Sequence, residues 1–337
     1  MPVFFEGFEG NSWSNLATTG GWTASAAPSI STTGAHRSSI STVKGGVYAL
    51  TRYFLTGTTT SPTFATTGRY MSFYLLSGAA PYYPSAYVTF NRSGTAQFTV
   101  GFGADGTASM RRGGSGGTLV ATTTTQLPLC NSGWWIDIEL LAQDAAGVCT
   151  LWVNGVQYLT YSGDTRNAGA DGFDQFILGF TVSFDTAYVD DIIVHTLAEG
   201  RPGETFIGLQ LPDGNDVIQS NGGAGTYTNV DENPMTSTDT NVFTTGQQDT
   251  YDVASLAWTP ATIYGTKVSQ WAARNGTVTQ VQGVCKSGAT TSLGTAVVIA
   301  ASDTFRVVDT YYSTDPNTAA AWTEANLNAM KIGARFS

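Results

Sequence analysis

Residues 134–158 constrain the fold of this 337-residue chain more than any other stretch. Ile136, Ile138 and Leu140 occupy one side of a period-two pattern, and Asp137 and Glu139 occupy the other. An extended strand sends alternate side chains to opposite faces, so the pattern predicts a strand with one face in a core. Asp144-Ala145-Ala146-Gly147 then turns the chain, and Cys149, Leu151 and Val153 form the next apolar face. Asn154-Gly155 follows. Both residue types tolerate the positive φ that a tight two-residue hairpin requires. Residues 156–161 lead back and complete an antiparallel meander.

The same rhythm extends along the chain. Short β-prone runs at 69–76, 86–90, 97–102, 176–180 and 188–195 alternate with turn residues. Regular spacing of this kind predicts a β-sandwich. An apolar content of 42% is enough to build cores. Residues 197–205 combine Gly, Pro and charge and read as a linker. Beyond it, residues 212–252 are rich in Asp, Asn, Gly and Thr and suggest long loops between short strands. The β-pattern returns at 266–274, 278–286 and 305–312. Only 323–330 looks helical, with Thr323 as N-cap, Glu324 in the first turn, and Trp322, Leu327 and Met330 as anchors. Residues 331–336 form a closing strand. The expected fold class is all-β: two β-sandwich (jelly-roll) domains in tandem, 1–198 and 199–337, with one short C-terminal helix.

Composition excludes several partners. The net charge is −10, which opposes a phosphate backbone, so no nucleic acid is expected. No apolar run reaches the roughly 18 residues of a membrane helix, so no membrane span is expected. The opening residues Met1 to Gly7 lack a basic segment followed by an apolar run and do not read as a signal peptide. A chain rich in Gly, Thr and aromatics without an export signal is cytosolic or released by lysis; the second option points to viruses. Cys130, Cys149 and Cys285 form no C-x-x-C pair, and His36 and His195 are too distant in sequence for a short-spaced zinc motif. Buried thiols are the expected state, with a Cys130–Cys149 disulfide across a hairpin left open.

Trp135-x-Asp137-x-Glu139, a turn, and Leu151-x-Val153-Asn154-Gly155 resemble the concanavalin A-like jelly roll in its laminin G-like branch. The opening Phe4-Phe5-Glu6-Gly7-Phe8-Glu9-Gly10 and the late Val189-Asp190-Asp191-Ile192-Ile193 agree with it. This resemblance covers roughly residues 1–198. Ala272-Ala273-Arg274-Asn275, Lys286-Ser287-Gly288 and the run from Asp315-Pro316-Asn317 through Trp322-Thr323-Glu324 to Ile332-Gly333 look like a C-terminal module of tailed-bacteriophage virion proteins. Residues 227–234 also fit that module. The resemblance implies a structural component of a phage particle, such as a head decoration, a fibre or a tail-associated protein, localised to the virion. Its partners would be other capsid or tail proteins and sister copies, with a trimer expected for a fibre or spike. A host-surface glycan is a further partner.

Glucanases of this fold use a three-carboxylate array on one strand. Here Trp135 stands where the first acid belongs, so Asp137 and Glu139 are read as ordinary solvent-face residues and the protein as non-enzymatic. There is no G-x-S-x-G elbow, phosphate-binding loop or dinucleotide fingerprint. Gly113-Gly114-Ser115-Gly116-Gly117 reads as a loop. Glu6, Glu9, Asp190 and Asp191 would converge if the first and last strands of the domain adjoin. Related jelly rolls carry a structural calcium ion nearby, and hard oxygen ligands suit it, so calcium is the one cofactor considered. The oxygen-rich residues Asp213, Asn215, Asp216, Asp231, Glu232 and Asp239 lack EF-hand spacing. Tyr82, Tyr83, Trp13 and Trp22 are candidate stacking platforms for a sugar.

Overall fold

The computed structural model describes residues 2–6, 22–24, 29–31, 42–45, 49–53, 68–77, 83–169, 171–180, 187–196, 200–205, 207–219, 226–232, 240–260, 262–274, 276, 278–301 and 305–337. The chain forms two compact units, one built mainly from Gly21–Gly208 and the other from Leu209–Ser337. Both are antiparallel β throughout, and the one α-helix among the described residues is Glu324–Asn328. No helix among them is long and apolar enough to cross a membrane.

The first unit is a sandwich of an eight-stranded and a seven-stranded sheet. The eight-stranded sheet runs, in hydrogen-bonded order, Val156–Gly163, Gly147–Val153, Trp134–Leu141, Arg69–Ser77, Ala187–Thr196, Thr42–Gly45 and Ser29–Ser31. Pro2–Glu6 pairs with Ala187–Thr196, so the first and last strands of the unit adjoin. The seven-stranded sheet runs Thr118–Thr122, Ala108–Arg112, Thr95–Phe102, Ala86–Arg92, Gln175–Phe180, Ala49–Tyr53 and Trp22–Ala24.

The meander forms as its alternation requires. Ile136, Ile138, Leu140, Cys149, Leu151 and Val153 are all essentially inaccessible to solvent. Asn154 and Gly155 take φ of +51° and +82°, so the hairpin's right-handed twist continues through the turn. Across the interior, Phe102 of one sheet meets Trp134 of the other at 5.9 Å between ring centroids. Trp134 is fully buried and donates its indole N–H to the Pro128 carbonyl at 3.0 Å. Each such buried side chain contributes roughly 1.5–3 kcal/mol of hydrophobic stabilisation. All three cysteines are buried free thiols. Cys130 caps the interior from a 3₁₀ turn, donating to the Leu75 carbonyl, while Cys149 lies in the core-facing row of its strand.

The second unit has a six-stranded sheet whose main path is Pro212–Gln219, Gln248–Val253, Lys331–Phe336, Gln280–Ser287 and Thr290–Leu293, with Val297–Val298 pairing with Gln280–Ser287. A two-stranded ribbon, Thr266–Ala272 with Arg306–Tyr312, completes it. One strand, Pro212–Gln219, falls where composition suggests a loop. It is an edge strand with one neighbour, and Val217 is 88% exposed, so it needs little apolar content. The chain-closing strand lies between two others, where its glycine is needed. A Cβ on Gly333 would meet the Asp249 carbonyl oxygen of the neighbouring strand at 1.9 Å.

The Asp315–Gly333 motif has a structural explanation in this unit. Asp315 is fully buried and accepts hydrogen bonds from Asn317 N (2.9 Å), Thr318 Oγ1 (3.1 Å) and Asn326 Nδ2 (2.7 Å). It therefore ties the Asp-Pro-Asn-Thr turn to the helix. Thr323 Oγ1 accepts from Asn326 N at 3.2 Å, the expected N-cap. Trp322 donates its indole N–H to the Tyr312 carbonyl and packs with Leu327, Met330, Val253, Val268 and Cys285.

Candidate functional site

The clearest gathering of chemistry lies on the outer face of the eight-stranded sheet. Because Ile136 and Ile138 point inward, Trp135, Asp137 and Glu139 point outward. Register then fixes their neighbours. Asp137 stands between Ser72 and Trp152, Glu139 between Tyr70 and Thr150, and Trp135 opposite Tyr74. On the next strand His195 is opposite Tyr70, and Ile193 is opposite Ser72.

Asp137 is not a solvent-face residue, contrary to the sequence expectation. It is fully buried and accepts from Ser72 Oγ (2.6 Å), Trp135 Nε1 (3.0 Å) and Arg201 Nη1 (2.9 Å). Arg201 comes from the stretch read as a linker. It also places its guanidinium carbon 5.5 Å from the Trp152 ring centroid, within cation–π range. Further along, Ile207 donates its backbone N–H to Asp191 Oδ1 at 2.7 Å and packs against the cluster of Tyr74, Trp135 and Ile193. Two anchors thus strap residues 201–207 to the sheet. This is why the compact unit continues to Gly208, past the 198/199 boundary that composition suggests.

Glu139 differs from Asp137. It is half-buried, and among the described residues it has neither a hydrogen bond nor an ion pair. Tyr70 is its cross-strand partner, and Trp152, opposite Asp137, has its ring centroid 6.1 Å from that of Tyr70. Burial raises the Tyr70 phenol above its usual range, Glu139 adds to the rise, and Arg201 offsets part of it. Under Tyr70, His195 stacks at 5.5 Å and is 2% exposed. Burial lowers its imidazole to about 4, so it is neutral at physiological pH.

A hydrolase would need two available carboxylates on this strand. Asp137 is enclosed and neutralised, which leaves Glu139 with two aromatic faces beside it. Aromatic rings beside a carboxylate offer a stacking surface and a hydrogen-bond acceptor.

The expected calcium ligands are only partly in view. Glu6 lies on Pro2–Glu6 opposite Ile192, beside the expected aspartates. Asp190 and Asp191 fall at a bulge where Thr42–Gly45 and Pro2–Glu6 take successive parts of one strand edge. Asp191 adopts φ +51° there. Both aspartates are fully buried, and each spends one oxygen on a backbone amide: Asp190 Oδ1 accepts from Asp191 N, and Asp191 Oδ1 from Ile207 N. Glu9 lies outside the described residues. Among the described residues no three or more His, Cys, Asp or Glu side chains gather as metal ligands. In the second unit, Asp216 is bound by Lys286 Nζ (2.8 Å) and Thr250 Oγ1 (2.7 Å), and Asn215 accepts from Tyr227 N. Burial alone would raise the Asp216 carboxyl, but these bonds hold it at about 2. Asp239 is outside the described residues.

Among the proposed sugar platforms, Tyr83 packs over Gly106 and approaches Trp134 at 6.5 Å, so its ring is a lid on the core. Trp13 and Tyr82 lie outside the described residues, as does the side chain of Trp22. Sequence reasoning missed Tyr70, Trp152 and Arg201. Trp152 follows from the register of the hairpin that turns at residues 144–147, whereas Tyr70 arrives through a long-range pairing. Arg201 carries no local signal.

No protein-family model matches this chain, and no curated protein is similar to it in sequence. Among solved structures, it is 12% identical to an endo-β-1,4-glucuronan lyase from the fungus Trichoderma reesei, with a TM-score of 0.40 over 58% of this chain and 96% of that one. A protein with a galectin-like fold from Bacillus subtilis is 12% identical, with a TM-score of 0.39 over 58% and 95%. The CBM2 module of the evolved Dit of Lactobacillus casei BL23 phage J-1 is 11% identical, with a TM-score of 0.37 over 57% and 94%.

Proposed function

We propose that this chain is a non-enzymatic structural component of a tailed-phage virion whose first unit carries a shallow glycan-binding face. The observation that carries the binding part is the Tyr70–Glu139–Trp152 group: a carboxylate with no hydrogen-bond or ion-pair partner among the described residues, beside two half-buried aromatics. Stacking faces beside a hydrogen-bond acceptor are what a sugar ring requires. The non-enzymatic part is supported by Asp137, whose carboxylate is buried and bound by three donors. The virion part is supported by the Asp315–Gly333 motif. Other virion proteins and sister copies are the partners in this reading, and weak single-site affinity is multiplied by copy number. No cofactor enters it.

Mass spectrometry of purified particles, with copies counted against the major capsid protein, tests the virion part. Recovery at many copies per particle is expected; absence from particles overturns it. Titration of immobilised saccharides with the full chain tests the binding part. Saturable binding that Trp152→Ala abolishes is expected, and binding unaffected by that change removes this face from the mechanism.

A further inference from the structure

We infer that the Tyr70–Glu139–Trp152 face selects saccharides bearing a protonated amine over neutral and acidic ones. This rests on the glycan-binding reading above and names the ligand class for the same face.

The argument is one of charge placement. Two carboxylates, Asp137 and Glu139, project from one strand on this face, and one cation, Arg201, reaches it among the described residues. Arg201 is committed to Asp137 at 2.9 Å, so its charge is already balanced. Glu139 remains with an uncompensated negative charge. His195 adds no positive charge, being buried beneath Tyr70. Arg69 is buried on the same strand as Tyr70, with Nη1 turned to the Gly68 carbonyl. Toward Tyr74 the surroundings become more acidic. Burial first, then Cys130, and then Asp190, Glu204 and Asp191 push that phenol up to about 12.

A uronic or sialic carboxylate brought to this face would meet Glu139 with no cation among the described residues other than Arg201, which is committed to Asp137. A neutral ring could stack and donate a hydroxyl. An ammonium group would gain an ion pair with Glu139 and, in addition, the ring of Tyr70 on the neighbouring strand, whereas Trp152 already carries the Arg201 guanidinium. Glu139 is directly opposite Tyr70, within cross-strand side-chain reach, so a single amine can meet both.

The test uses the full chain and three tetrasaccharides: the glucosamine tetramer, its fully N-acetylated counterpart, and a galacturonate tetramer. Calorimetry in mildly acidic, low-salt buffer keeps the amines protonated. The expected result is that the amine form binds about three- to fivefold more tightly than the acetylated form, as one half-exposed ion pair allows. The galacturonate should bind most weakly. Salt should shrink the preference. Glu139→Gln should bring the ratio of amine to acetylated affinity to about one, and Glu139→Lys should favour the galacturonate. Equal affinities in the parent chain, tightest binding of the galacturonate, or a ratio unmoved by Glu139→Gln would overturn the selection while leaving the glycan face standing. Absence of binding by all three to a folded chain would overturn the glycan face itself, and this inference with it.

Discussion

Arg201 Nη1 lies 2.9 Å from Asp137 Oδ2, joining two residues 64 positions apart. The aspartate is fully buried and the arginine side chain is 30% exposed. A buried carboxylate is tolerated only when its charge is met, so the strap that carries Arg201 is part of the sandwich rather than a tether beyond it. The same contact encloses Asp137 and leaves Glu139, Tyr70 and Trp152 as the half-buried part of the face.

Removing the arginine should therefore cost more than a surface ion pair. Arg201→Ala leaves Asp137 buried with only the Ser72 and Trp135 donors. The expected loss is about 2–3 kcal/mol by urea denaturation, and Asp137→Asn in the same background should recover part of it. A loss below about 0.5 kcal/mol would show that the strap is not held by this pair.

His195 predicts a pH dependence. Its folded value is about 4, against 6.5 when exposed, so the unfolded chain binds a proton that the folded one refuses. Stability is complete above the unfolded value and falls as pH drops through 6.5 toward 4, by about 2 kcal/mol between roughly pH 7 and pH 5. His195→Gln should flatten this part of the curve in denaturant midpoints measured across that range. A parent chain that is equally stable at both ends would contradict the burial of a neutral imidazole.

Asp315 should be the most sensitive polar position of the second unit. Asp315→Ala strands Asn317 N, Thr318 Oγ1 and Asn326 Nδ2 without their acceptor, at a cost of about 2–4 kcal/mol. Thr323→Ala should cost about 1 kcal/mol through loss of the N-cap. Thermal melts of the two variants should rank in that order, and the reverse order would refute the assigned role of the turn.

The cysteines should be silent until the chain unfolds. Burial pushes Cys130 and Cys285 up to about 12 and raises Cys149 well above its usual range. Thiolate is the reactive form, so a colorimetric thiol reagent should label none of them in the native chain and all three in denaturant. Fewer than three labelled thiols after denaturation without reductant would reveal a disulfide.

What the sequence determined by itself is local and periodic. Alternation placed Ile136, Ile138 and Leu140 inside because a strand has a period of two. Asn154-Gly155 set the hairpin because both residues accept positive φ, and Thr323 started the helix because its hydroxyl reaches the third residue on. The same logic put Asp137 and Glu139 on one face, yet could not separate them. Tertiary structure did that: Arg201, arriving from 64 residues away, covers Asp137 and leaves Glu139 open. It also brought Tyr70 opposite Glu139 and Trp152 opposite Asp137, the first through a long-range strand pairing whose register the hydrophobic pattern alone does not specify. Side-chain direction follows from the local backbone, whereas which charges meet depends on contacts between distant segments, and only the folded chain supplies those.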